Sequence, residues 1–550
     1  MGRSASWFAC ALFLVCLCPV TTYAASLEAE QRVAELRAVA EANPYDARAA
    51  RRLAFALREA DRLDESRAWF ERVVGLNGES PGDMYNLACL YAITGNTERG
   101  LDWLEKALDR GFTEDETILN DHDMDPLRTS PRFQAITGLY PPQGLSREER
   151  WRYDLDFMVR RMERMHWDLY AHIPKEEFAG EIARIETDLA RLSDSQVRSR
   201  IRRLLARVGD GHTLMRARTE DETAVARFPI DLYRFSDGIF VRGAAKEHAA
   251  IVGTRVMQLG PISADSAYTA MKQYVSVDNE MGYRDWVSSA LASPDVLEAI
   301  GALTAGDKLH LTLQSSDGRA FAYALPVAKI DAGKLGHERF DGFVYANDAA
   351  RAPVPAWLRN PDTPLWYEYV SDQDMVYCWI GAIDDMKDKS FDAFCTEMLD
   401  FIQKNGVERL VIDMRLNGGG NTGVVLPLIH GLVKSPVNRE GNLFVIIGRR
   451  TFSAAMNTCA LLEMHTEATF VGEPTGSRPN FVGESTSFVL PCTHYRVFCS
   501  SRYWQHVSSE DRRPWIAPRI VAELSSQDFA TNRDPAMEAI LHAIAEQVAN

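Results

Sequence analysis

The stretch Phe444-Val-Ile-Ile-Gly-Arg-Arg-Thr-Phe-Ser-Ala-Ala-Met456 reads as strand, sharp turn and helix. An apolar run, Phe444 to Ile447, is followed by Gly448 and two arginines, and Ser453 then opens an alanine-rich segment that favours a helix. This order sets a serine hydroxyl at a helix N-terminus, where unpaired amides and the helix dipole can face a developing oxyanion. Such a serine is a candidate nucleophile. It can equally be an ordinary N-cap, accepting from the amides of the first turn.

Outward from it, residues 341–550 alternate between the two periodicities. Strands are predicted at Met375–Ile380, Arg409–Met414, Phe444–Ile447 and Thr469–Gly472, with helices at Phe391–Lys404, up to Val433, and from Ser453. Alternating β and α units predict a parallel sheet with its ligand site at the strands' carboxyl ends. The glycine-rich loop Arg415-Leu-Asn-Gly-Gly-Gly-Asn-Thr-Gly423 and Ser453 both fall at those ends. The loop contains no lysine and no GxxxxGK[ST] pattern, which argues against a nucleotide. Its glycines allow backbone amides to approach a substrate closely, as an oxyanion hole requires.

Upstream, a repeat with a period of 34 residues relates Leu53 to Leu87, Ala54 to Ala88, Leu57 to Tyr91, Phe70 to Leu104 and Val73 to Ala107. Small residues Ser66 and Gly100 match too, at the places where paired helices would pack closely. Period and pattern resemble tetratricopeptide repeats, so 25–140 is expected to be a helical repeat domain able to dock a protein partner. A helical bundle follows over 145–227, with core stripes such as Leu155, Met158, Met162 and Met165, and it ends in Gly209-Asp-Gly-His-Thr213. Glycines around an acid favour a tight turn, which holds His212 on a loop. Short apolar runs divided by Ser236-Asp-Gly238 and Ser316-Asp-Gly318 then predict a β-rich insert over 228–334. Gly253–Gly260 within it is similar to a segment of PDZ domains.

The chain has 550 residues and a net charge of -16, a poor balance for binding nucleic acid or an anionic membrane. Arg3, an apolar stretch from Trp7 to Val20 and Thr22-Tyr-Ala24 read as a signal peptide over 1–24, so the protein is expected to be exported, to a periplasm or the exterior. No segment is long enough for a transmembrane helix. Beyond the leader, six scattered cysteines do not form a disulfide framework, and a Cys492–Cys499 bridge is not expected. There is no HExxH or CxxC spacing, so neither metal nor cofactor is expected.

Four motifs in order carry a family resemblance: GDGHT at 209–213, IDMRLNGGGN at 412–421, RRTFSAA at 449–455 and VGEPTG at 471–476. Together they resemble tail-specific and tricorn-type serine peptidases. The resemblance implies a ClpP/crotonase-like α/β core over 341–550 in a multidomain α + α/β chain, with a PDZ-like insert, a polypeptide substrate and acyl-enzyme chemistry on Ser453. Tail-specific members use a lysine beyond the GEPT turn. Here no lysine follows Lys434, and Arg478 stays protonated and cannot be a base. The tricorn-like arrangement instead implies His212 as base, Ala454 with Gly418 or Gly419 as oxyanion donors, and Asp511 or, next, Glu510 as the acid that orients the imidazole. His494 and His506 are alternative bases. Interphotoreceptor retinoid-binding protein shares the fold, so a non-catalytic carrier of apolar ligands, or an assembly factor, is the competing reading.

Overall fold

The computed structural model describes residues 19–77, 80–216, 224–303, 308–331 and 339–549. Most of the expected leader, 1–18, lies outside them. The chain divides into two compact units at Pro141/Pro142. Among the described residues no helix is long and apolar enough to cross a membrane.

In the first unit the two repeats become helix pairs, Ala47–Glu59 with Leu63–Leu76 and Pro81–Ile93 with Thr97–Asp109. Their starts follow from the residues that cap them: Asp46, Ser80 and Asn96 each accept first-turn amides. The small matched residues lie at the closest approaches. Ser66 is fully buried and donates to the Ala54 carbonyl at 2.7 Å, and a Cβ on Gly100 would come within 3.2 Å of the Ala88 carbonyl oxygen.

The second unit begins with helices Arg147–Met165, Lys175–Asp188 and Asp194–Ala206, the first and third opened by capping boxes from Ser146/Glu149 and Ser193/Gln196. The insert's sheet is antiparallel and built on Ile230–Phe235, Gly238–Ala245, Arg255–Leu259, Lys308–Gln314 and Ala320–Pro326. Its limits differ from those predicted. Phe343–Tyr345 joins the sheet from beyond 334, and Ala224–Arg227 pairs with Ala328–Asp331 from before 228. It also contains helices Ala264–Met271, Glu280–Ala290 and Pro294–Ala299, so it is not purely β-rich. Ala267 with Met271 and Tyr283 with Val287 are buried pairs at helical spacing, too short a pattern to stand out among turn residues.

The core sheet runs in chain order: Leu365–Val370, Met375–Ile380, Arg409–Asp413, Leu443–Ile447, Thr469–Gly472 and Ile520–Val521. The first pair is antiparallel and the rest are parallel. Every residue of Met375–Ile380 and Leu443–Ile447 is buried, because apolar layers cover both faces of the sheet. Edge strands Leu365–Val370 and Ile520–Val521 were not foreseen; Glu368 and Tyr369 blur the first, and the second has only two residues. A hairpin, Asn480–Val489 with Arg496–Gln505, rises beside the sheet, and Leu214–Arg216, just after His212, pairs with its second strand. All six cysteines of the described residues are free, Cys492 and Cys499 included.

Candidate active site

Strand Leu443–Ile447 ends in a turn that its own residues tie down. Thr451 Oγ1 accepts from Gly448 N–H at 3.0 Å and donates to the Met414 carbonyl at 2.9 Å. Arg449 turns inward and meets Glu473 of the GEPT segment through two hydrogen bonds, Nε to Oε2 at 2.8 Å and Nη2 to Oε1 at 2.5 Å. That buried pair, unforeseen from sequence, joins the nucleophile turn to the next strand.

Ser453 follows, with φ 53° and ψ −123°, and helix Ala454–His465 starts at the next residue. Positive φ is costly for a residue with a side chain and marks functional turns. Ser453 makes no side-chain capping bond, which removes the N-cap reading. Its Oγ lies 3.0 Å from His212 Nε2. The glycine loop of 415–423 and the turn of 209–213, far apart in sequence, thus meet at this serine.

The loop bearing His212 is organised by acids. Asp210 Oδ1 accepts from the His212 amide at 2.9 Å, the Thr213 amide at 2.7 Å and Ser500 Oγ at 2.6 Å, while its Oδ2 meets His166 Nε2 at 2.9 Å. Asp278 accepts from the Gly211 amide at 2.8 Å and from Ser477 Oγ. The His166 bond holds Asp210 below the usual carboxylate range against the cost of its burial. Asp278 is raised to about 6 because it is fully buried. The imidazole of His212 is stacked between Phe452, at 4.4 Å, and Phe481, at 5.7 Å. Burial there drives its pKa down to about 4, opposed only by the charge of Asp210. His212 is therefore neutral at neutral pH and able to take a proton.

The expected orienting acid is not in place. Among the described residues His212 Nδ1 is buried with no hydrogen-bond partner, so neither Asp511 nor Glu510 reaches it. Asp511 is held instead by Arg513, with Nε 3.0 Å and Nη2 2.8 Å from Oδ2, and Glu510 is exposed. An arginine two residues on captured the acid locally, a competition its spacing concealed. His494 sits in the hairpin turn with positive φ, and His506 stacks on Trp504; neither bonds Ser453.

The glycine loop is shaped by contact with this serine. Asn417 donates Nδ2–H to the Ile380 carbonyl and accepts the Gly419 amide on Oδ1 at 2.9 Å. Gly419 N–H is thereby engaged and is not the oxyanion donor expected of it. The amides of Gly418 and of Ala454, at the first helical position, have no acceptor among the described residues. Gly419 at φ 120° is required for another reason: a Cβ there would lie 2.7 Å from Ser453 Cβ. Asp210, Asp278 and the two phenylalanines were missed in sequence. Asp210 lies inside the recognised motif, but nothing local marks Asp278.

No family sequence profile matches the chain, and no curated protein matches it in sequence. In structure it is similar to mature CPAF complexed with lactacystin, with a TM-score of 0.52 and 10% identity, over 73% of this chain and 98% of that one. A CPAF mutant matches with a TM-score of 0.51 and 11% identity, over 73% and 98%. At such low identity the likeness is one of fold, and it covers the great majority of the CPAF chain.

Proposed function

We propose that the chain is an exported serine peptidase that cleaves polypeptides through an acyl-enzyme on Ser453. The observation that carries this reading is the 3.0 Å contact between Ser453 Oγ and a neutral, buried His212 Nε2, on a backbone with positive φ. Ser453 Oγ attacks the scissile carbonyl carbon while Nε2 takes its proton. The Gly418 and Ala454 amides receive the oxyanion. Nε2 then gives the proton to the leaving amine as the C–N bond breaks, and water, deprotonated by the same nitrogen, releases the acyl group. The resemblance of four ordered motifs and the likeness of fold to CPAF support the same reading. On it, the N-terminal helix pairs serve to dock a partner or substrate.

The test incubates the full chain and its Ser453→Ala and Asp511→Asn variants with an unfolded polypeptide and maps the products by mass spectrometry. Cleavage is expected to fall about a thousandfold or more in Ser453→Ala and to stay near wild type in Asp511→Asn. Equal cleavage by wild type and Ser453→Ala overturns the proposal.

A further inference from the structure

A cavity of about 460 Å³, lined by neither Ser453 nor His212, lies between the helical bundle, the insert and the face of the core sheet opposite helix Ala454–His465. Its volume falls in the range that encloses small organic ligands, roughly 300–1,000 Å³. Seven arginines and three acids line it. Four of the seven arginines lie against acids, Arg202 at 3.8 Å from Asp295 among them. Arg242 meets Asp231 at 2.8 Å, Arg449 meets Glu473, and Arg415 meets Asp534 at 2.9 Å.

Two guanidinium groups are left differently. Arg227 is 7% exposed, donates Nη1 to the carbonyl and hydroxyl of Ser289, and has a buried Nε with no hydrogen-bond partner among the described residues. Asp231, the one acid whose charge bears on it, is bonded to Arg242. Arg216 lies over the Trp286 ring at 5.7 Å, and among the described residues no carboxylate pairs with it. Trp286 and Ser289 are one turn apart on helix Glu280–Ala290, so both arginines gather on one face of that helix. Burial disfavours the charge of Arg227, with only the charge of Asp231 to offset it. Arg227 is a buried cation without an anion, which is costly, and a bound anion would remove the cost; Arg216 is exposed and stands at the cavity's solvent side.

The rest of the wall is largely apolar: Leu205, Met215, Val296, Trp357 and Ile446, beside Trp286, which remains 36% exposed although it lines the cavity. The core strands that reach it, Leu443–Ile447 and Thr469–Gly472, are hydrogen-bonded on both sides. Leu214–Arg216 and Ala224–Arg227, which also line it, pair on one side only among the described residues, so the wall includes free strand edges as well. Asp231 and Asp285 keep the excess of positive charge low, which suits a monoanion better than a phosphate dianion.

We propose that this cavity binds an amphipathic monocarboxylate, its carboxylate at Arg216 and Arg227 and its alkyl body along the tryptophan-lined wall. The site is separate from the proposed peptidase chemistry, and its test uses binding alone. Decanoate, and decanol as the same chain without the charge, are titrated calorimetrically into the full chain and into Arg216→Met, Arg227→Met and Ser453→Ala. Decanoate is expected to bind once per chain, about tenfold or more tighter than decanol, as a charge-assisted hydrogen bond predicts. Each arginine variant should lose that advantage while binding decanol unchanged, which shows the cavity intact. Ser453→Ala should bind like wild type. If Arg227→Met does not fold, Arg216→Met, the more exposed position, carries the test alone. Absent or unsaturable decanoate binding, equal affinity for the two probes, or decanoate affinity unchanged in Arg216→Met overturns the proposal.

Discussion

Removing one wall of the aromatic sandwich should make His212 a stronger base. In the folded chain its pKa falls from 6.5 to about 4, chiefly through burial. That fall is worth about 3 kcal/mol of disfavoured imidazolium, at about 1.4 kcal/mol for each pH unit. The sign follows from linkage. A group whose folded pKa is depressed contributes stability above its unfolded value, and that stability is lost as pH falls from 6.5 towards 4. Phe481→Ala admits water beside the ring, so the pKa should climb back towards 6.5 by as much as about 2.5. The phenyl ring is 3% exposed, so its loss costs about 3–5 kcal/mol in packing, and thermal melting must first show that the variant is folded. Imidazole ¹⁵N chemical shifts across pH 3–8, assigned against His212→Gln, read the pKa directly and need no substrate. The acid limb of kcat/KM should move upward with it. A wild-type His212 that titrates near 6.5, or a pKa unchanged by Phe481→Ala, would refute the argument.

Asp278, raised from 3.8 to about 6, has the opposite sign: its contribution is full below 3.8 and is lost as pH rises through about 6. Its ionised form thus costs about 3 kcal/mol near pH 8; Asp278→Asn should raise the melting temperature at pH 8 and give no gain at pH 4. The two loop glycines should separate cleanly under substitution. Gly419→Ala sets a Cβ 2.7 Å from Ser453 Cβ at φ 120°, whereas a Cβ on Gly418 meets nothing within 4 Å. The first should abolish cleavage and cost about 1–3 kcal/mol of stability, while the second should cleave within a few-fold of wild type; equal losses in product assays would sink the distinction.

The parts of the fold legible in sequence were those with strong local signals. Buried parallel strands read as unbroken apolar runs, and Leu443–Ile447 and Met375–Ile380 appear where those runs lie. Ser453 and His212 were legible because glycine-bounded turns mark sharp backbone geometry, and the structure brings the two side chains within 3.0 Å. What failed depended on contacts between distant residues. Asp511 was chosen for its place in the chain, yet Arg513 holds it, and spacing alone carries no information on which partner wins. Gly419 was chosen for its type, yet Asn417 takes its amide. The insert's helices were hidden because each buries only a few residues, and its final strand, Phe343–Tyr345, pairs only through tertiary folding.

Among the described residues no acid meets His212 Nδ1, which has a chemical consequence on the proposed mechanism. In a Ser-His-Asp arrangement a carboxylate fixes the imidazole and stabilises the cation that forms when it takes the serine's proton. Here fixing and stabilising are separated. Phe452 and Phe481 hold the plane of the ring, and Asp210 and Asp278 hold the backbone on either side of Gly211. None of these bonds to Nδ1. An imidazole of pKa about 4 gains little by removing the proton of a resting serine. Its imidazolium becomes favourable only when a negative charge appears beside it, and the oxyanion of the tetrahedral adduct is that charge. Proton transfer is thereby coupled to attack on a well-seated carbonyl, and the idle enzyme keeps an unactivated serine. Positioning of substrate against Gly418 and Ala454, rather than a preformed relay to an acid, then carries the larger share of rate enhancement.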